Sequence, residues 1–594
     1  MRRLIALLVT LGACKHARAP EGPDPHSFAQ PQQVAVRHLA LDLAVSFEQR
    51  TLAGTATLSL TRTDRKAPLV LDGDGLAIEA VADCAGKPLT FTVGTHTSMG
   101  EPIRVELGTA DCVAIRYHTK PDASALLWVE PSGTAGGKQP MLFTQSQATR
   151  ARSWIPLQDS PGVRFTYEAT IHPPAGLWAL MSTPNPQASP ADGVWRFRQE
   201  HPIPSYLMAL AVGDFAFRST GPRSGVYAEP SVVEGAAWEF AEVEAMIDAA
   251  EKLYGPYRWG RYDMLVLPPS FPFGGMENPN LTFLTPTAIS GDRALVSLIA
   301  HELAHSWSGN LATNSTWNDT WLNEGFTTYV EYRIMEQLRG SEFSDVLWFL
   351  GRKEVERAVA KYGSGPATHL AHHYGRDTDA EEIPSGLAYD KGALFLRTLE
   401  LAYGRAAFDT WLRGWFDRHA FQAVDSKQFS AEIKPLGSKV DIATWVDAGG
   451  LPADAAPAPS AHAAAIEQLA TSGGDVDASS WNTMDWVVYL GALPETVPAA
   501  RLLALDARYH LTGTSNAEIA MHWLPLVVRA DVRDAAPAVE AFLSKVGRVR
   551  MVRPLYTAMM AGTDFWHALA KSTFERAKPK YHPITRGAIT DIVK

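Results

Sequence analysis

The chain has 594 residues, 46% of them hydrophobic and 20% charged. That is too long for one ordinary core, so roughly two to four soluble globular domains are expected. A formal net charge of −10 argues against nonspecific nucleic-acid binding, which needs basic surface to neutralise phosphates.

The chain opens as a targeting segment. Arg2 and Arg3 precede a short apolar run, Leu4 to Leu11, too short to span a membrane as a mature helix. Leu11-Gly12-Ala13-Cys14 resembles the bacterial lipobox, which implies a signal at 1–13, cleavage before Cys14 and lipidation of its thiol. An ordinary secretory signal cut after Ala17-Arg18-Ala19 is the other reading. Both export the protein, and no later stretch is long and apolar enough to cross a membrane. Residues 14–35 read as a linker. Cys84 and Cys112 then remain, and in an exported chain they either pair or stay free.

Residues 36–218 alternate like strands. Leu39, Leu41, Leu43 and Val45 are followed by Ala56, Leu58 and Leu60, then by Ile103 with Val105 and Val113 with Ile115 and Tyr117. Gly, Pro and Asp clusters punctuate them, so this region reads as a largely antiparallel β domain. By composition, Gln145-Ser146-Gln147 within it is an ordinary surface or turn segment.

Helical patterns dominate residues 219–455, where most of the chemistry lies. Gly274-Gly275-Met276-Glu277-Asn278 pairs two glycines, which let a backbone approach a ligand, with a carboxylate able to hold a cation. A plain turn is the bland alternative. His301, Glu302 and His305 form His-Glu-x-x-His. Positions i and i+4 share a helix face, so both imidazoles reach one metal with Glu302 near its open side. Asp292 reads as that helix's cap and Gly309 as its stop. A catalytic zinc usually takes three protein ligands. Glu324, in a second helical pattern from Trp321 to Leu338, is the third candidate, and Glu331 lies seven residues on along the same face. His372 and His373 lack a spaced partner. Tyr389, in Tyr389-Asp390-Lys391-Gly392, has a phenol able to donate to an oxyanion, although a lone Tyr more often packs.

Leu451 to Ser460 is rich in Ala and Pro and reads as a linker. Residues 456–594 follow with helix-like runs at His462–Ala470, Trp481–Leu493, Ala499–Leu511, Ala517–Ala530 and Ala538–Val546, an all-α module. Near its end, Arg548, Arg550 and Arg553 read by default as a solvated charge run.

GGMEN at 274–278, HELAHSW.GN at 301–310, WLNEGFTTYVE at 321–331 and Tyr389 together resemble the M1 family of zinc aminopeptidases, in its leukotriene-A(4) hydrolase and aminopeptidase B branch. Gln145-Ser146-Gln147, the IPLQDSP run at 155–161, GR.R at 547–550 and the late YHPIT resemble the same branch. The resemblance implies a multidomain α+β protein: an N-terminal β saddle, a thermolysin-like catalytic domain and a C-terminal all-α, helical-repeat-like domain. It implies one zinc ion on His301, His305 and Glu324, with Glu302 as general base and Tyr389 on the oxyanion. Glu277 would bind the free α-ammonium, helped by Gln147 and Glu324. Gln145, Gly274, Gly275 and Met276 would complete the substrate site, the last three by pairing with substrate backbone. Arg548 and Arg550 would meet the C-terminal carboxylate of short peptides, with Arg550 where the family has a Lys.

Three positions depart from the branch. Phe273 replaces a tyrosine, Pro384 replaces a second tyrosine, and Glu381 stands for an Asp linked to epoxide opening. These weaken an added epoxide hydrolase activity and leave the peptidase machinery intact. An endopeptidase is disfavoured by Glu277, which would face an uncharged peptide nitrogen. A non-catalytic peptide-binding lipoprotein is disfavoured by the complete ligand set and Glu302. The expected partners are short peptides with a free N-terminus and, through Cys14, a membrane.

Overall fold

The structure is a computed structural model that describes residues 24–594 apart from 377, 381, 382, 384, 385 and 475. The predicted signal and lipobox, Glu381 and Pro384 lie outside the described residues.

The N-terminal domain is built on a six-stranded sheet. Its order is Trp195–Pro204, Arg164–His172, Val34–Ser46, Thr51–Arg62, Cys112–His118, Ala77–Asp83. Leu39, Leu41, Leu43 and Val45 are buried on one face, as period-2 alternation requires. Most pairs are antiparallel, but Val34–Ser46 runs parallel to Arg164–His172. Cys84 and Cys112 form a disulfide, closing the question left open by the sequence.

Residues 24–35 are not a free linker. Asp24, His26, Ser27 and Ala29 are buried. Asp72 accepts from Ser27 Oγ at 2.6 Å and the Phe28 amide at 2.7 Å, and Arg152 donates to the His26 carbonyl at 2.8 Å. A run so rich in Pro and polar residues reads as linker, yet its backbone groups find buried partners.

The catalytic domain contains a five-stranded sheet that the helical periodicity concealed. Its order is Ala216–Ser219, Ser224–Ala228, Tyr262–Val266, Leu281–Leu284, Gly275–Met276. Ala216–Ser219 pairs into this sheet, so the catalytic unit begins before residue 219. The last strand leaves Gly275–Met276 as an edge.

Six helices frame the site: α1 (Val296–Ala304), α2 (Trp321–Arg339), α3 (Ser341–Tyr362), α4 (Gly386–Tyr403), α5 (Ala517–Arg529) and α6 (Val549–Met560). Asp292 does not cap α1, because its carboxylate accepts from the Ala294 amide in the preceding turn and the helix starts only at Val296. Likewise α1 ends at Ala304, before Gly309. Gly309 has φ of +100°, and a Cβ there would meet Asn323 Oδ1 at 2.4 Å and His305 Nδ1 at 3.0 Å. Only glycine tolerates both the conformation and the approach. The second helix runs one residue past the predicted Leu338 and stops at Gly340, with φ of +85°.

Trp321 and Phe326 of α2 pack against Phe395, Trp415 and Phe429 with ring centroids 5.0–6.2 Å apart. Such pairs add about 0.5–1.5 kcal/mol each beyond area burial, so α2 is a rigid support. The Ala/Pro segment after residue 451 is packed: Arg352 donates to the Ala456 carbonyl at 2.7 Å, and the Ala456 amide donates to Thr398 Oγ at 2.9 Å.

The C-terminal domain is helical and extends beyond the periodic runs, with α6, Asp564–Ala577 and Pro583–Val593 completing it. Val346 of α3 belongs to its core cluster. The Val549 amide donates to the Pro272 carbonyl at 3.0 Å, and Gly547 lies against the Pro269 carbonyl. This domain therefore braces the segment that leads into the Gly274–Gly275 edge.

Candidate metal centre and active site

The i, i+4 spacing on α1 sets the two imidazoles on one face, and the first turn of α2 brings Glu324 beneath them. Glu324 Oε2 lies 3.5 Å from His301 Nε2 and 3.5 Å from His305 Nε2. This oxygen is buried and has no hydrogen-bond partner among the described residues. A buried carboxylate oxygen facing two imidazole nitrogens is costly unless a cation lies between them. Tetrahedral zinc with ligands at ~2.0–2.1 Å needs them about 3.3 Å apart. The three groups fit zinc in donor type and in spacing.

The outer nitrogens are also held. His301 Nδ1 is 2.9 Å from Glu331 Oε2. His305 Nδ1 faces the Ser308 carbonyl at 3.2 Å and Thr327 Oγ1 at 3.1 Å. Such partners fix the ring orientation that leaves each Nε2 for metal. Glu331 shares the inward face of α2 with Glu324, seven residues apart, but nothing in the sequence pattern ties it directly to His301.

Glu302 is buried beside the Gly275 edge. Burial pushes its carboxyl well above the ordinary range, while His301 pulls the other way. Tyr389 of α4 stacks over His301 with centroids 5.8 Å apart. Burial, then the Glu324 charge, raises its phenol well above the usual value, so it stays protonated as a donor. Its place follows from a helix crossing: a Cβ on Gly325 would lie 2.7 Å from the Gly392 Cα.

Glu277 is 4% exposed, and its Oε1 has no hydrogen-bond partner among the described residues. Burial raises its carboxyl pKa, with His305 opposing and Glu324 adding to the rise. The Asn310 amide group fixes the Glu277 backbone, donating to its carbonyl at 2.7 Å. Asn310 was visible only as part of a motif, with no role attached.

These groups line one cleft of about 970 Å³ between the catalytic and C-terminal domains. Gln147, Phe273, Gly274, Gly275 and Glu277 form part of its wall with His301, His305, Glu324, Glu302 and Tyr389. Two expected substrate residues differ. Gln145 is fully buried and donates to Met276 Sδ at 3.3 Å, behind the edge strand. The Met276 side chain is buried with it, so Met276 offers only backbone. Extended spacing would have put Gln145 and Gln147 on one side, but the strand ends at Thr144 and the chain turns.

The sequence profiles of the peptidase family M1 domain, the peptidase M1 N-terminal domain and the leukotriene A4 hydrolase C-terminal domain match residues 238–447, 35–207 and 481–593. The chain belongs to peptidase family M1. It is 37% identical to a leukotriene A-4 hydrolase of Xenopus laevis over 95% of this chain and 98% of that protein. It is 36% identical to leucine aminopeptidase 2 of Yarrowia lipolytica over 96% and 94%. Among solved structures, the yeast LTA4 hydrolase in complex with bestatin superposes with a TM-score of 0.91 at 31% identity, covering 99% of this chain and all of that one. The three-domain fold is that of these relatives, and the chain is a zinc metalloaminopeptidase of family M1.

At the C-terminal wall of this M1 cleft, the arginine run is only partly solvated. It begins α6, and Arg548 has a side chain only 13% exposed. Burial, then Arg550, lowers the Arg548 pKa to about 10. Glu518 of α5 meets Arg550 at 3.0 Å and Arg548 at 3.4 Å. Burial opposes its ionisation, but Arg550 and Arg548 outweigh burial and hold its carboxyl below the ordinary range.

Proposed function

We propose that the enzyme releases single N-terminal residues from short peptides, with His301, His305 and Glu324 holding the zinc. The carrying observation is Glu277, a buried carboxylate with an unpartnered oxygen in the same cleft. An α-ammonium supplies the missing counter-charge, whereas an internal peptide nitrogen does not.

Bound there, zinc supplies a Lewis acid that polarises the scissile carbonyl and acidifies the attacking water. Glu302, destabilised as an anion by burial, takes the water proton and delivers it to the leaving amine. The Tyr389 hydroxyl donates to the oxyanion as it forms. Gln147 and Glu277 orient the first residue, and the Gly274–Met276 edge adds the substrate backbone as an outer strand. Arg548 and Arg550 attract the C-terminal carboxylate, which favours short substrates.

The test uses a tripeptide and its N-acetylated form, with and without chelator, followed by mass. Release of the first residue from the free peptide alone, stopped by chelator, is expected. Internal cleavage of both would make the protein an endopeptidase. Binding without cleavage would make it a peptide-binding protein.

The proposal extends to location: export, with a bacterial lipid anchor on Cys14. The charged start, short apolar run and lipobox-like Leu11–Cys14 support it. Cys14→Ser should move the protein from the membrane fraction to the soluble exported fraction. Unchanged fractionation would remove the anchor.

A further inference from the structure

Arg553 lines the cleft beside Pro554, one turn after Arg550 on the same helix. No hydrogen bond or ion pair engages its guanidinium among the described residues. Three arginines thus project from the start of α6, and among the described residues the one carboxylate in ion-pair contact with them is Glu518. The local surplus is positive and faces the substrate cleft.

The three lie in order along the cleft. Arg548 is innermost: a Cβ on Gly274 would lie 2.5 Å from its guanidinium, and its charge acts on Glu302. Arg550 acts instead on Asp390, and its side chain is 55% exposed. Arg553 follows three residues later, roughly 4.5 Å farther along the axis at ~1.5 Å per residue. An extended peptide advances ~3.3–3.6 Å per residue. One turn of α6 therefore matches about one added substrate residue. The lining there also includes apolar Leu347, Leu350, Met484 and Val487, and Arg357 is paired with Glu354 at 2.7 Å, so among the described residues Arg553 is the lining arginine without a carboxylate partner.

We propose that the start of α6 gauges peptide length: Arg548 and Arg550 hold a tripeptide carboxylate, and Arg553 holds that of a tetrapeptide. This rests on the aminopeptidase reading and adds a substrate range to it.

The experiment uses the full zinc-loaded chain and alanine peptides of three, four and five residues, each as free acid and as C-terminal amide. Release of the first residue is measured for the wild type, Arg553→Ala and Arg553→Lys. In Arg553→Ala, kcat/KM for the tetrapeptide acid should fall about tenfold relative to the tripeptide acid, through KM. The tetrapeptide amide should show no such selective loss, and Arg553→Lys should restore most of the acid's rate. An equal loss at every length, an unchanged acid-to-amide ratio, or a loss confined to the tripeptide acid would overturn the gauge. Failure of the aminopeptidase reading looks different, since the wild type would then release no first residue from any peptide.

Discussion

Gly325 of α2 and Gly392 of α4 touch where the two helices cross, each leaving room for less than a methyl group on the other. A Cβ on Gly392 would lie 2.7 Å from the Gly325 Cα, and one on Gly325 would also lie 2.8 Å from the Ala388 carbonyl. Glu324 precedes the first glycine and Tyr389 stands three residues before the second, so the contact sets the distance between the proposed zinc ligand and the proposed oxyanion donor. Gly392→Ala must part the helices, because backbone rather than a flexible side chain is in the way. We expect kcat to fall about tenfold or more, since ~1 Å of misplacement is enough for such a loss, with zinc content unchanged and Tm lowered by a few degrees. Steady-state kinetics and metal analysis on one preparation check this. A kcat within twofold of wild type would show that the crossing does not position Tyr389.

The paired glycines of the edge strand should differ in their response to alanine. A Cβ on Gly275 would lie 2.2 Å from Glu302 Oε1 and 2.6 Å from its Cγ, so the whole carboxylate would have to leave. One on Gly274 meets the end of Arg548 at 2.5 Å, a long side chain with room to turn. Gly275→Ala should cost at least a hundredfold in kcat. Gly274→Ala should act mainly on KM for free-acid peptides and little on their amides. Similar losses in both variants would contradict the assignment of each glycine to its own neighbour.

How much of this was legible follows from which interactions are local. His301, Glu302 and His305 share one helix, so their spacing alone states the geometry. Glu324 needed a second helix, and its register was readable because Gly340 stops that helix as glycine does. The burial of Arg548 was not legible because three charges in six residues hide an apolar face: Met551, Val552, Leu555, Tyr556 and Met559 are buried behind them. Pro554 inside α6 also argues against a helix, although it stands in the first turns. The catalytic sheet was missed because Tyr262–Val266 and Leu281–Leu284 are buried on both faces and show no alternation. Gln145 was placed in the site because Gln147 is there, and only the turn after Thr144 separates them.

Glu331 reaches the metal only through His301. Removing its charge while keeping its shape should loosen the ring and lower its basicity. Glu331→Gln should weaken zinc binding by about 10–100-fold, measured by competition with a chelator of known affinity. With saturating zinc, much of kcat should return. A kcat that stays low at full occupancy would mean that Glu331 acts on the substrate itself.

The ammonium anchor sets stability against activity. Glu277 is buried with an unpartnered oxygen, so its charge destabilises the empty site. Glu277→Gln keeps the volume and removes the charge. It should raise Tm slightly while lowering kcat/KM for free-amine peptides by at least about a hundredfold, the scale of a lost buried charge pair. Calorimetry and peptide kinetics read the two effects separately. A lower Tm with full activity would refute the anchor role.

Lys391, two residues after Tyr389, gives a pH test that does not depend on metal. Its side chain is fully buried, and its ammonium donates to the carbonyls of Thr368 at 2.6 Å and Ala448 at 3.0 Å. Burial lowers its pKa from 10.5 to about 8. In the unfolded chain the proton is held more tightly, so between about pH 8 and 10.5 the unfolded state binds more of it. Stability from this residue therefore rises with pH across that window and is lost as pH falls through 8, by an amount on the order of 3 kcal/mol in all. Denaturant titrations of the wild type and Lys391→Met at pH 7, 8, 9 and 10 isolate the term, because other titrating groups cancel in the difference. The wild type should gain on the variant as pH rises from 8 to 10. A difference that stays flat over that range would place the Lys391 ammonium in a solvated environment, with its pKa unshifted.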